Sequence, residues 1–164
     1  MKRCAVLAAF AAGVLALSIL FGVARATPPT LQQTEFLSRG TTVDPLTLTA
    51  KGKLPNQKEA AWRGTYKSPW DVTTLRVTLP PGANTGWHRH PGPGFMSVVQ
   101  GEVTVYANDC TKHTYTAGQA YVEVPGLVNL VRNDGSTPAI FVGTFVIPTT
   151  APLRLDVPTA PCSP

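Results

Sequence analysis

The chain has 164 residues, of which 14% are charged, and it contains 14 glycines and 16 prolines. This length suits one domain. The composition excludes a helical bundle, a coiled coil and a protein with several membrane spans. The formal net charge of +5 comes without a basic cluster, so it gives no support to nucleic-acid binding.

Residues 1–26 have the pattern of a secretory signal peptide. Lys2 and Arg3 precede an uncharged run rich in alanine and leucine at residues 5–23, and residues 24–26 read Ala-Arg-Ala. The alternative is an uncleaved membrane anchor, because an apolar run of this length nearly spans a bilayer. Cleavage after residue 26 lowers the formal charge of +5 by three and predicts a periplasmic or secreted protein without a stable membrane partner.

Export leaves Cys110 and Cys162 as the cysteines of the mature chain. In an oxidising compartment two cysteines are expected to pair. The alternative, a metal or redox site, favours a closer spacing such as Cys-x-x-Cys. We therefore predict a disulfide bond between Cys110 and Cys162, which ties the C-terminal end of the chain to the loop around residue 110.

Short segments with the alternating pattern of β-strands follow one another through the mature chain, separated by turns rich in proline and glycine. In residues 71–79, for example, Leu75, Val77 and Leu79 share one face. The other strand patterns are a β-hairpin over residues 95–107 that turns near Gln100 and Gly101, and single strands over residues 120–124, 127–132 and 139–147. This spacing predicts an all-β domain, either a sandwich or a barrel.

The two ends of the mature chain lack such patterns. Residues 27–45 and 149–164 are rich in proline and threonine and show no strong periodicity. We therefore divide the chain into a signal peptide at residues 1–26, an N-terminal arm and first strand at 27–64, one β domain at 65–148 and a C-terminal arm at 149–164. The sequence shows no internal repeat and no second domain.

His88 and His90 form the pattern with the clearest chemistry. Side chains two residues apart on a strand share a face, so both imidazoles can converge on one ion while Trp87 and Arg89 point away. Taken alone, a His-x-His pattern also fits two half-exposed loop histidines. The third histidine, His113, is expected to lie on the surface.

The glycines around the histidine pair follow a longer pattern. Residues 82–101 match G-x5-H-x-H-x3-E-x6-G at both glycines and both histidines. Residues 118–133 match G-x5-P-x-G-x2-H-x3-N at Gly118, Gly126 and Asn133. These are the two motifs of the cupin superfamily, and the chain resembles its small, exported, single-domain members.

The resemblance covers the strands of residues 65–148. It implies an antiparallel β-barrel of the cupin type, also called a double-stranded β-helix or jelly roll, with a small central pocket. It also implies a small-molecule ligand or substrate and a homodimer.

The chain departs from the cupin motifs at two ligand positions. The glutamate of the first motif falls on Gly94, and the histidine of the second motif falls on Asn129. Carried over residue by residue, the resemblance predicts a metal site made of His88, His90 and Asn129. Two imidazoles and an amide bind a divalent ion more weakly than a set with a third imidazole and a carboxylate.

Glu123 is the alternative third ligand, because it is charged in an otherwise apolar run within the second motif. If its side chain faces inward, it completes a facial triad with His88 and His90. The competing interpretation is that it faces solvent or pairs with a cation on a neighbouring strand, since charges on strands are usually solvated. The expected cofactor is a divalent transition metal, namely zinc, copper or nickel, or iron if Glu123 joins.

Two functions from different classes remain open. Many cupins are metal-dependent dioxygenases, decarboxylases or isomerases, so the resemblance implies a metal-dependent enzyme acting on a small organic molecule. The alternative is a binding or sensing cupin without catalysis, which has lost metal ligands. The sequence assigns neither a catalytic residue nor a substrate.

Overall fold

The computed structural model describes residues 28–44, 48–52, 62–66 and 69–163. The predicted signal peptide lies outside these ranges, so it stays a prediction. Within the ranges, no helix has the length and apolar character needed to cross a membrane.

The secondary structure of the described residues consists of β-strands, which confirms the predicted all-β class. In chain order the strands are β1 (Gln33–Thr41), β2 (Leu48–Gly52), β3 (Trp62–Tyr66), β4 (Trp70–Leu79), β5 (His88–Arg89), β6 (Gly94–Gln100), β7 (Glu102–Ala107), β8 (Lys112–Thr116), β9 (Ala120–Glu123), β10 (Asn129–Arg132), β11 (Ala139–Pro148) and β12 (Leu155–Asp156). The single strands predicted from the sequence correspond to β4, β9, β10 and β11.

Two five-stranded antiparallel sheets pack against each other. The first has the order β1-β4-β11-β6-β9 and the second the order β12-β5-β10-β7-β8, while β2 and β3 pair separately. Side chains from both sheets form one apolar core. The sheets are therefore the two walls of the predicted jelly roll, rather than one continuous hydrogen-bonded barrel.

The core depends on alternation along the two longest strands of the first sheet. In β4, Leu75, Val77 and Leu79 are buried on one face, as predicted. In β11, Phe141, Gly143 and Phe145 are buried on the same side, and Val142 and Thr144 between them are half-buried. The two strands pair along their whole length, so together they form a wall of the cavity described below.

The predicted hairpin over residues 95–107 is wrong. β6 pairs with β9 and β11, whereas β7 pairs with β8 and β10 in the opposite sheet. Gly101 lies between β6 and β7 with a φ of 69°, and a Cβ there would lie 2.8 Å from the carbonyl oxygen of Pro138. The glycine thus permits a sharp corner between the sheets. The hairpin is instead β7–β8, with Val105 opposite His113.

A first strand was predicted within residues 27–64 without an exact position, and no strand was predicted in the C-terminal arm. In the N-terminal arm, β1 pairs with β4 and forms an edge of the first sheet. In the C-terminal arm, β12 pairs with β5, which places Asp156 opposite His88 and Leu155 opposite Arg89. Pairing with a neighbouring strand, rather than local periodicity, therefore orders these segments.

A disulfide bond joins Cys110 to Cys162, as predicted. The two Cα atoms lie 6.0 Å apart, within the usual range for a disulfide. The C-terminal arm packs on a second buried cluster, which consists of Trp87, Tyr106 and Leu130. The bond and this packing together hold the arm against the second sheet.

Candidate metal centre

Three buried side chains, those of His88, His90 and Glu123, meet between the two sheets. One possible donor atom from each lies within 4.8 Å of the other two. His88 is on β5, His90 follows that strand, and Glu123 ends β9 in the opposite sheet. Their exposed fractions are 3%, 5% and 5%, so the cluster is sheltered from water.

The two histidine rings point to the same side of the chain, as the alternation of β-strands predicts. Their centroids lie 4.9 Å apart with the rings edge to face. Arg89, between them, is exposed, and Trp87 is buried in the cluster beneath the C-terminal arm. The interpretation as half-exposed loop histidines is therefore wrong, while His113 is exposed as expected.

The imidazole of His88 is held by a backbone carbonyl. Its Nδ1 lies 2.8 Å from the carbonyl oxygen of Gly86, and because a carbonyl can only accept, Nδ1 carries the proton. Burial lowers the pKa of His88 to about 4 despite the opposing charge of Glu123. The ring is therefore neutral at pH 7, and Nε2 offers its lone pair.

The imidazole of His90 is oriented in the same way by the C-terminal arm. Its Nδ1 donates to the carbonyl oxygen of Leu153 over 2.6 Å. This bond leaves Nε2 directed at Glu123, 3.0 Å from Oε2. Both rings thus present the nitrogen that a metal ion requires, with the other nitrogen fixed by a carbonyl.

Glu123 faces inward, so the interpretation in which it faces solvent is wrong. Burial, the largest single effect, acts to raise the pKa of this carboxyl, but His90, His88 and Arg154 together outweigh it, and the pKa is lowered below its ordinary value. The group is therefore an ionised carboxylate at pH 7, fully enclosed and beside two imidazoles.

This donor set fits a divalent transition metal. Nitrogen and oxygen ligands lie about 2.0–2.2 Å from zinc, so two ligands of one ion are about 3.0–3.4 Å apart at angles between a right angle and the tetrahedral angle. The 3.0 Å between His90 Nε2 and Glu123 Oε2 lies at the short end of that range. Two imidazoles and one carboxylate are also the ligand types that zinc and non-haem iron accept.

The three side chains line a cavity of about 360 Å³. Beyond them its wall is mainly apolar, with Thr85 and Arg154 near the histidines and Gln32 and Thr34 from the N-terminal arm. The apolar lining consists of Phe36, Leu75, Val77, Phe141, Phe145 and Leu153. A small molecule in this cavity would contact both the candidate metal centre and the apolar wall.

A family model described as a cupin domain matches residues 75–147. These residues form a cupin domain. The match contains all three side chains of the candidate centre, and it confirms the resemblance drawn from the two motifs. A search of curated proteins finds no match to this chain.

Matches to solved structures cover about half of this chain. A protein with a double-stranded β-helix domain from Klebsiella pneumoniae is 26% identical, and the match covers 52% of this chain and 74% of that chain, with a TM-score of 0.48. An oxalate oxidase in complex with glycolate is also 26% identical; the match covers 52% of this chain and 46% of that chain, with a TM-score of 0.45. A predicted oxalate decarboxylase from Thermotoga maritima is 20% identical over 49% of this chain and 83% of that chain, with a TM-score of 0.42.

The carboxylate of this cupin domain comes from a different strand than the motif specifies. The motif places glutamate at residue 94, where this chain has glycine, and Gly94 lies directly opposite Glu123 in the pairing of β6 with β9. A Cβ at residue 94 would lie 2.6 Å from side-chain atoms of both Met96 and Phe145. Those two side chains fill the space at residue 94, and Glu123 reaches the histidines from the neighbouring strand.

The role of Asn129 as a ligand stays a prediction. Asn129 pairs with His88 across β10 and β5, and its side chain is 5% exposed. Its Oδ1 has no hydrogen-bond partner among the described residues. An unpaired amide oxygen beside the centre is compatible with a weak fourth ligand, but the geometric cluster consists of His88, His90 and Glu123.

Two contributors to the site were missed by the sequence pattern. The Leu153 carbonyl holds His90, and Arg154 lines the cavity. Both belong to the C-terminal arm, which has no strong periodicity. The disulfide predicted from Cys162 was the one sequence signal that this arm returns to the domain.

Proposed function

We propose that this cupin domain holds one divalent transition metal through Nε2 of His88, Nε2 of His90 and the carboxylate of Glu123. The observation that carries the proposal is the clustering of these three donors within 4.8 Å of one another in a buried site. A buried carboxylate is costly unless a cation or hydrogen bonds compensate its charge. A divalent ion among the three donors supplies that compensation.

The ligand types favour iron(II) or zinc among the metals considered. Two histidines and a carboxylate form the facial triad of non-haem iron oxygenases, and zinc also binds this set. A set of three protein ligands leaves coordination positions open. When bound, the ion would polarise an oxygen atom of a substrate or activate a water molecule.

We propose that the protein is a metal-dependent enzyme acting on a small organic molecule. The cavity that adjoins the three ligands supports this, since it offers a substrate a place beside the ion. The reaction type follows only from the resemblance to cupins, which implies a dioxygenase, a decarboxylase or an isomerase. Binding of a ligand without turnover would identify a binding or sensing protein instead.

We also propose that the protein is exported to the periplasm or beyond the cell. The signal-peptide pattern of residues 1–26 supports export, and so does the disulfide bond, because disulfides persist in oxidising compartments. N-terminal sequencing of exported protein should find a chain that begins at Thr27. A membrane-bound chain that retains Met1 would contradict the proposal.

Calorimetric titration with zinc and with iron(II) tests the metal site. Metal affinity should fall by more than about tenfold in each of three variants, His88→Ala, His90→Ala and Glu123→Gln. Even residues that only support metal ligands contribute about 10–100-fold. The matched control is His113→Ala, which removes an exposed histidine outside the cluster and should leave the affinity unchanged. Asn129→Ala should weaken binding less than the other three.

Unchanged affinity in His88→Ala and His90→Ala would show that the cavity is not a metal site. Elemental analysis of protein purified from its native compartment provides an independent measurement. One equivalent of a transition metal is the expected result, and protein that is free of metal would favour the binding protein.

A further inference from the structure

Arg154 places a positive charge beside the candidate metal centre. Among the described residues that line the cavity, it is the one lysine or arginine. Its Nη2 donates to the carbonyl oxygen of Thr85 over 2.6 Å, and its Nε donates to Oδ1 of Asp156 over 2.6 Å. These two bonds fix the plane of the guanidinium, and neither of them uses Nη1.

The positive charge of Arg154 is only partly compensated by its ion pair with Asp156. Asp156, its carboxylate partner, has 63% of its side chain exposed, so water screens much of that negative charge. The guanidinium therefore remains a net cation on the cavity side.

A cation next to a divalent ion is repulsive unless an anion lies between them. With two neutral histidines and one carboxylate, a site holding a divalent ion keeps one net positive charge, and Arg154 adds another. A ligand carboxylate can compensate both positive charges. A guanidinium group binds a carboxylate through paired hydrogen bonds, and the oxygen atoms of a carboxylate also coordinate metal ions. With a divalent ion bound, the charges of the cavity thus favour an anionic ligand.

The rest of the cavity determines the polarity and size of the uncharged part of the ligand. Phe36, Leu75, Val77 and Phe141 give it an apolar wall away from the charged groups. Its volume of about 360 Å³ lies at the small end of the range of about 300–1,000 Å³ for ligand pockets. A ligand with a single charged end and a compact apolar body matches this distribution.

We propose that the cavity binds a small monocarboxylate with an apolar body, with the carboxylate between Arg154 and the metal ion. The inference rests on the proposed metal site and adds to it the chemical class of the ligand. Arg154 makes the cavity prefer an anion, and the apolar wall makes it prefer such ligands over acetate or formate.

Calorimetry on zinc-loaded protein with benzoate as the probe tests this inference. Benzamide has the same shape without the charge, and acetate has the charge without the apolar body. Benzoate should bind at least about tenfold more tightly than either, and Arg154→Gln should weaken benzoate binding by at least about tenfold. Zinc affinity should not fall in Arg154→Gln, because removing a nearby positive charge does not disfavour a cation.

Arg89→Gln is the matched control, since it removes the same charge from an exposed residue between the two histidines. It should leave benzoate binding unchanged. If Arg154→Gln does not fold, as judged by circular dichroism, Arg154→Lys replaces it. That variant keeps the charge and should still prefer benzoate to benzamide, with weaker affinity than the wild type.

The outcomes separate this inference from the proposed function. Suppose that zinc binds but benzoate and benzamide bind equally well, or that Arg154→Gln leaves benzoate affinity unchanged. Either result overturns the anion site and leaves the proposed metal site intact. If zinc does not bind, the metal site fails, and benzoate is titrated into metal-free protein. Binding that Arg154→Gln abolishes then supports the anion site, and no binding overturns both.

Discussion

The two arms of the chain border the same cavity but are held in different ways. The N-terminal arm contributes β1, a strand of nine exposed residues that pairs with β4. The C-terminal arm has only the two-residue strand β12, yet a disulfide fixes it and its Leu153 carbonyl holds His90. Regular secondary structure is therefore a poor guide to which arm controls the site, and contact with the metal ligands is the better one.

The side-chain hydrogen bonds that anchor β1 to β4 do not involve the three ligands. Arg39 and Thr41 both donate hydrogen bonds to the buried carboxylate of Asp71 on β4. Phe36 reaches the cavity but is 65% exposed. We therefore expect damage to this arm to alter stability modestly and to spare metal binding, and damage to the C-terminal arm to affect both.

The largest effect should follow from replacing both cysteines, with Cys110→Ser and Cys162→Ser in one protein. The bond spans a sequence separation of 52 residues, and in the chain-entropy model such a loop contributes roughly 4 kcal/mol, with about 2–4 kcal/mol typical of measured cases. Chemical denaturation should therefore show a loss of about 2–4 kcal/mol in the free energy of unfolding. Zinc affinity should also fall, because a loosened arm holds the Leu153 carbonyl less firmly against His90.

Reduction of the wild-type protein is the control for this variant, since it breaks the same bond without changing the sequence. The reduced protein should resemble the double variant in stability and in zinc affinity. A double variant as stable as the wild type would show that packing on Trp87, Tyr106 and Leu130 alone holds the arm. Equal zinc affinity would show that the arm does not govern His90.

Several strands of the central domain, but not their partners, were predictable from the sequence. Alternation in β4 identified Leu75, Val77 and Leu79 as core residues, because the faces of a strand are a local property. The corner at Gly101 was predicted as a hairpin turn because partner choice is not local: the same short turn can join two strands of one sheet or carry the chain to the opposite sheet. The position of β1 and the existence of β12 were not predicted for a related reason, because pairing with β4 and β5 orders these segments.

For the site, the two histidines could be predicted and the carboxylate could not be assigned. His88 lies on β5 and His90 directly follows it, two residues along an extended chain, so their convergence needs no tertiary information. The orientation of Glu123 depends on the register that sets it opposite Gly94, and on the two side chains that fill the place of the missing glutamate. A glycine at a ligand position, together with a charged residue on the neighbouring strand, is a signal that would have identified the metal-ligating carboxylate.

A second effect, about as large, should appear in the dependence of stability on pH. The pKa of His88 is about 4 in the folded protein against 6.5 ordinarily, so the unfolded chain binds this proton more tightly. Stability should therefore fall as the pH drops from about 6.5 to about 4, by about 3 kcal/mol from this group. Urea denaturation of metal-free protein at several pH values measures the slope.

His88→Gln sharpens this measurement, because the variant lacks the titrating group. Its stability should depend less steeply on pH than that of the wild type over the same interval. Arg154→Gln, in the C-terminal arm, should also flatten the curve somewhat, since the charge of Arg154 contributes to the low pKa of His88. An identical slope in the wild type and His88→Gln would show that His88 is not buried in its neutral form.

The smallest effect should come from the anchor of the N-terminal arm, through Asp71→Asn. Hydrogen bonds from Thr41 and Arg39 lower the pKa of Asp71, so it stabilises the fold at pH values above its ordinary 3.8 and loses this contribution as the pH falls further. Asp71→Asn should be less stable than the wild type at pH 7, and the difference should shrink below about pH 4. Glu35→Gln is the matched control, because it removes the same charge from an exposed ion pair between β1 and β4 and should change little. Zinc affinity should be the same in all three proteins, and a loss in Asp71→Asn would show that the N-terminal arm supports the metal site after all.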